Sequence, residues 1–226
     1  MMADNFPVKK GIYEKTLTLE DGKILRYALS IPKSLSTDGS VPLVVALHYG
    51  GRVTPYYGKE FLTLLVYPAL ERLGAVMVAP DCPARGWDNP YSENAVIALI
   101  NQIKKNYTIN DKKVLITGFS MGAIGTWYMT ARHPHLFTAA IPISGMPNPS
   151  IIGKNLDMPV YVIHSRADEI FPIKQVRETI TKLKARCSSI KLIILDRISH
   201  YQTGFFVESL RRAIPWIKQV WKNKAD

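Results

Sequence analysis

Cysteine is scarce in this sequence: two thiols, Cys82 and Cys187, stand among 226 residues. They lie far apart and fit no zinc-ligand spacing, so neither a disulfide scaffold nor a metal ribbon organises the chain. Long apolar runs are missing too, and nothing approaches the roughly 20 residues that a membrane-spanning helix needs. The opening Met-Met-Ala-Asp-Asn-Phe-Pro has no apolar leader core. Unpaired thiols fit a reducing compartment, so the expectation is a cytoplasmic protein, or a secreted one if a leader has been removed. Repeats, linkers and low-complexity tracts are absent, which excludes solenoids and collagen-like chains and predicts a single domain over residues 1–226.

Acidic residues are the other shortage, 18 Asp and Glu against 29 Lys and Arg, for a net charge of +11. The excess leans toward the C-terminus, where residues 166–226 carry 13 basic and 6 acidic side chains. Such a balance raises the question of nucleic acid or an anionic surface. The basic residues are scattered, however, in pairs such as Lys104-Lys105 and Arg211-Arg212, without the interleaved aromatics of a single-strand groove. They read as a solvated face, and no nucleic-acid partner is expected.

What the sequence does contain is an alternation of strand and helix signals. Residues 13–19 and 24–31 flank Glu20-Asp21-Gly22, a hairpin signature. Short apolar runs at 41–47, 75–79, 113–117, 139–143, 160–164 and 191–195 predict buried strands. Helical spacing covers 59–73, 93–107, 121–132, 174–186 and 206–221, with Pro68 expected to kink or break the first. Continuous apolar strands separated by helices imply an α/β fold, a mostly parallel sheet with helices on both faces behind an N-terminal antiparallel hairpin. Ligands of such sheets bind beyond the C-terminal strand ends.

At one of those ends stands Gly118-Phe119-Ser120-Met121-Gly122, a Gly-x-Ser-x-Gly sequence between a strand and a helix. A strand that turns at once into a helix strains the backbone at Ser120, and the flanking glycines admit the close approach. A serine nucleophile needs a base and an orienting acid. Of the five histidines, His48 precedes Gly50-Gly51 and is expected to brace its loop. His133 and His135 fall at a helix end, and His164 ends a strand as a packed residue. His200 sits in the loop after the last strand and is the expected base, so rate should fall on acidification as its imidazole protonates.

Asp168 is the expected acid, with Asp81 its competitor, because the order Ser120, Asp168, His200 is that of Gly-x-Ser-x-Gly hydrolases. Glu169 reads as a solvated neighbour. The oxyanion requires two backbone donors. Met121 N–H, directly after the nucleophile, is one. The second comes from His48-Tyr49-Gly50-Gly51, which is similar to the His-Gly-Gly-Gly loop of esterases; Tyr49, Gly50 and Gly51 are the candidates and Gly50 is favoured.

These residues resemble the α/β-hydrolase superfamily over nearly the full length. Within it the chain is similar to lidless carboxylesterases and phospholipase-like enzymes, near feruloyl-esterase and polyhydroxybutyrate-depolymerase-like proteins. The likeness rests on Gly118–Gly122 extended to Gly125-Thr126-Trp127, the His48–Gly51 loop, and Asp168 followed by Pro172. It departs at Ala123, where a glycine is usual, and at Ser165-Arg166, where His-Gly usually continues. The resemblance implies a serine carboxylesterase without a lid domain, needing no metal or organic cofactor, and acting on small-molecule or polymer-linked esters. Tyr49 and Trp87 are candidate pocket residues, while Phe205-Phe206 either shape the pocket or start the last helix. A thioesterase, a small peptidase and a hydrolase-fold binding protein remain alternatives.

Overall fold

The computed structural model describes residues 6–33, 35, 40–152, 156, 158–185 and 189–224. The predicted turn at Gly22, with φ of 80°, closes an antiparallel hairpin of strands β1 (Gly11–Thr18) and β2 (Ile24–Ile31). The apolar runs become β3 (Val41–Leu47), β4 (Val76–Pro80), β5 (Ile109–Phe119), β6 (Ala139–Ile143), β7 (Val160–Ser165) and β8 (Ile190–Leu195). All eight join one sheet in the order β1-β2-β4-β3-β5-β6-β7-β8. The β1–β2 and β2–β4 pairs are antiparallel, and every later pair is parallel.

Side chains alternate across a strand, so a strand buried on both faces feeds two cores. Leu43, Val45 and Leu47 of β3 point into one core with Val114 and Ile116 of β5. Val44 and Ala46 point into the other with Leu115 and Phe119. Helices α3 (Pro90–Asn106), α4 (Met121–Arg132) and α6 (Ile173–Lys184) cover the first face through Leu99, Trp127 and Ile180. The second is covered by Phe61 and Leu65 near the N-terminal half and by Leu210, Ile217 and Trp221 near the C-terminus.

Two predicted helices are broken, each at a proline. The segment expected at 59–73 runs as α1 (Tyr57–Phe61), a π turn (Leu62–Val66), α2 (Tyr67–Leu70) and a 3-10 turn (Glu71–Leu73). Pro68 has no N–H to return to Leu64, and the chain widens instead, with Tyr67 N–H donating to Leu62 O. The helix expected at 206–221 is a 3-10 turn (Thr203–Phe206), α7 (Val207–Arg211) and α8 (Ile214–Asn223), divided just ahead of Pro215. The α3 helix starts earlier than expected, because Asn89 caps it by accepting from Ser92 N–H at 3.0 Å and Pro90 suits its first turn. Between β6 and β7 the described residues include a short helix, α5 (Pro149–Ile152), where a plain loop was expected. Cys187 lies outside the described residues; Cys82 is a buried free thiol.

Strand order sets the location of the site. The chain leaves β3 for β4 on one side, then returns across β3 to β5 on the other. Connections from β3 and β5 therefore diverge at their C-terminal ends, and the crevice between them is the binding position of open α/β sheets. The 48–51 loop and Ser120 emerge there.

Candidate active site

β5 ends at Phe119 and α4 begins at Met121, so Ser120 makes the turn alone, with φ 54° and ψ −115°. Only close packing holds a serine in that strained conformation. A Cβ on Gly122 would stand 1.8 Å from Leu47 O, and one on Gly118 would stand 2.2 Å from Gly122 O. Both motif glycines are thus contact surfaces between α4 and the strands beneath it.

His200 follows β8 and Asp168 follows β7, whose parallel pairing brings the two loops together. Ser120 Oγ lies 2.8 Å from His200 Nε2, and His200 Nδ1 lies 2.9 Å from Asp168 Oδ2. With Nδ1–H donated to the carboxylate, the Nε2 lone pair is free to accept the serine proton. The second carboxylate oxygen accepts from Ile170 N–H at 3.0 Å and Phe171 N–H at 2.8 Å. Burial pushes the Asp168 carboxyl up, but the His200 and Phe171 hydrogen bonds outweigh it and hold the pKa below the ordinary carboxylate value. Asp168 therefore stays ionised beside the imidazole.

Glu169 is not a bystander. Its Oε2 accepts from His200 backbone N–H at 2.8 Å, and hydrogen bonds from the Ser199 side chain and His200 lower its pKa. One loop thus holds the imidazole by its ring through Asp168 and by its backbone through Glu169. Ser165 Oγ adds a stitch, accepting from Ile198 N–H at 3.2 Å. Only the adjacency of a second carboxylate to Asp168 hinted at this in the sequence.

The competing acid, Asp81, is committed elsewhere: its oxygens accept from Tyr56 N–H at 2.7 Å and Gly58 N–H at 2.9 Å. His48 braces its loop as expected. Its Nδ1–H donates to Tyr49 O at 2.6 Å, and its Nε2 accepts from Cys82 N–H at 2.9 Å, the arrangement of a neutral ring. Burial pushes its pKa down to about 4. His164 is fully buried, donates from Nε2 to Phe171 O at 2.8 Å, and lies 3.8 Å from Asp168 Oδ2. His133, expected at the surface, is half-buried, with its Nε2 in hydrogen-bond contact with the buried Glu93 carboxylate at 2.5 Å.

Met121 opens α4, where an N–H has no intrahelical acceptor. A Cβ on Gly50 would lie 3.8 Å from Met121 Cβ, so the 48–51 loop runs alongside that helix start. Gly51 has φ of 148°, and a Cβ there would stand 2.6 Å from Tyr57 OH, so this turn is reserved for glycine.

A cavity of about 900 Å³ opens at Ser120 and His200, and Tyr49 and Gly50 are among its walls. Trp87, expected in the pocket, is not there. Its indole is buried behind the 48–51 loop, donating from Nε1 to His48 O at 2.9 Å and packing on Gly125, where a Cβ would stand 2.2 Å from Trp87 Cβ. Phe205 lines the cavity, whereas Phe206 is buried beneath Phe119 with ring centroids 5.2 Å apart.

Comparison with known proteins gives this geometry a lineage. Acetylxylan esterase A of Talaromyces purpureogenus is 32% identical over 130 residues, covering 51% of this chain and 32% of that protein. Acetylxylan esterase A of Aspergillus oryzae is 28% identical over 131 residues, covering 52% of this chain and 40% of that protein. The matched stretch is thus only about a third to two fifths of the length of these relatives. A solved thermostable esterase superposes with a TM-score of 0.75 at 27% identity, over 92% of this chain and 62% of its own. A ferulic acid esterase superposes with a TM-score of 0.76 at 16% identity, over 95% of this chain and 100% of its own, and shares the fold. Residues 87–218, which include Ser120, Asp168 and His200, match the dienelactone hydrolase family, and the chain belongs to that family.

Proposed function

We propose that this protein is a serine carboxylesterase that works through Ser120, His200 and Asp168. The observation that carries the reading is the continuous hydrogen-bonded line from Ser120 Oγ to His200 at 2.8 Å and on to Asp168 at 2.9 Å, at the mouth of a cavity. Esterase relatives on both sequence and structure support it.

Ser120 Oγ attacks the ester carbonyl while His200 Nε2 takes its proton, and Asp168 stabilises the imidazolium that forms. The N–H groups of Met121 and Gly50 receive the charge on the tetrahedral oxygen, where removing one donor typically costs about 10²–10³ in rate. His200 returns its proton to the leaving alcohol. Water then attacks the acyl carbonyl, losing its proton to His200, and His200 passes that proton to Ser120 Oγ as the bond to the acyl carbon breaks and the acid leaves. The substrates are small-molecule or polymer-linked esters.

The test is hydrolysis of p-nitrophenyl butanoate by the wild type and by Ser120→Ala, beside labelling with a serine-reactive fluorophosphonate. Wild-type turnover and labelling, both lost in a folded Ser120→Ala, are expected. Turnover that survives in Ser120→Ala refutes the assignment of the nucleophile. A folded wild type that neither turns over nor labels refutes the enzyme reading.

A further inference from the structure

Exposed large apolar side chains are unevenly distributed on this protein. Among the described residues there are seven, and four of them, Leu64, Ile170, Tyr201 and Phe205, line the cavity at Ser120. Such clustering around one concavity marks a binding surface rather than scattered surface hydrophobics. Among the described residues no Lys, Arg, Asp or Glu lines the cavity, although the chain carries a net charge of +11.

Two irregular turns build this wall. The π turn at Leu62–Val66 leaves Leu64 partly exposed while Leu62 and Leu65 are fully buried. The 3-10 turn at Thr203–Phe206 presents Gly204 and Phe205 to the same space. The two turns meet closely enough that a Cβ on Gly204 would stand 3.2 Å from Leu64 Cδ1. A π turn inside a helix is rare and is frequently found at functional sites. At about 900 Å³ the cavity far exceeds what an acetyl group would fill, and its walls are mostly apolar, with Gln202 and Thr203 the polar residues beside Ser120 and His200.

We propose that this cavity holds an uncharged hydrocarbon chain of the ester, longer than acetyl, and that Leu64 and Gly204 set the length it accepts. The proposal rests on the esterase reading above and names its substrate class. Each methylene moved from water into an apolar wall strengthens binding about fourfold. Spent in the transition state, that gain appears in kcat/KM.

The experiment measures kcat/KM along two series, p-nitrophenyl esters from acetate to octanoate and alkyl acetates from ethyl to hexyl. The first varies the acyl side and the second the alcohol side. Expected is a rise of about fourfold per methylene in one series, levelling off when the cavity is full. The series that rises identifies which side of the ester the cavity takes. Gly204→Val is expected to move the levelling point to shorter chains, and Leu64→Asn to cut the longest-to-shortest ratio at least tenfold, both with melting temperatures near that of the wild type. Active enzyme with two flat series overturns this proposal and leaves the esterase reading standing. A rise that both variants leave unchanged overturns the roles of Leu64 and Gly204. Inactivity toward every ester overturns the parent reading and this one with it.

Discussion

Replacing Gly122 by alanine tests how the nucleophile turn is built. The added Cβ would stand 1.8 Å from Leu47 O and 2.8 Å from His48 O. Real carbon–oxygen contacts do not fall below 3.0 Å, so α4 and the end of β3 must separate by more than 1 Å. Neither partner is a flexible side chain; both are backbone at the centre of the sheet. The movement opens the gap between Met121 N–H at the start of α4 and Gly50 N–H in the loop after β3, the two donors assigned to the oxyanion. Misplacement of about 1 Å costs on the order of 100-fold in rate, and overpacking of this kind destabilises by about 1–3 kcal/mol. Gly122→Ala should therefore lose about 100-fold in kcat toward p-nitrophenyl butanoate with a modest drop in melting temperature. Gly22→Ala is the control. Gly22 has φ of 80° with nothing near its Cβ position, so it should lose about 1 kcal/mol of stability and no kcat. A Gly122→Ala enzyme that folds and turns over at the wild-type rate would refute the placement of the oxyanion donors on α4 and the 48–51 loop.

Glu169→Ala removes the acceptor of His200 N–H and should lower kcat about tenfold at nearly constant KM, a fraction of what an ångström of misplacement costs. Glu169→Gln, which keeps an acceptor oxygen, should recover most of that loss in the same steady-state assay; equal defects in both variants would show that charge, not position, is what Glu169 supplies. The pH dependence of stability follows from His48, whose pKa is pushed by burial from 6.5 down to about 4. The unfolded imidazole takes its proton first as pH falls, so this contribution is full above about pH 6.5 and is lost between there and about pH 4, with an upper bound of about 3 kcal/mol. Burial also lowers the His164 pKa and adds in the same direction. Denaturant melts across that range should show a shallower slope in His48→Asn than in the wild type, and identical slopes would refute the account.

The parts of this molecule legible in the sequence are those decided locally. The central strands could be read because burial on both faces makes them short apolar runs, as in Val41–Leu47. The meeting of Ser120, Asp168 and His200 could be read because the flanking glycines mark the tight strand-to-helix turn that carries Ser120, and because Asp168 and His200 each follow a strand in the order such hydrolases use. Breaks in the helices were only half legible. Pro68 announced a disturbance, but not that it would take the form of a π turn that turns Leu64 toward the cavity. Illegible were the pairings across space. Trp87, on the loop after β4, stands at the ligand edge of the sheet, where an aromatic ring can face the ligand or lie beneath the loop. The deciding residue is Gly125, about 40 positions later, whose missing side chain makes the space that Trp87 fills. The same relation recurs at Gly122 against Leu47 and at Gly204 against Leu64. In each pair the glycine is visible in the sequence and its partner is not, because the packing of elements distant in sequence, set by many contacts at once, chooses what lies opposite. The position of Ser120 depends on the Gly122–Leu47 contact, and the width of the cavity beside it on the Gly204–Leu64 contact.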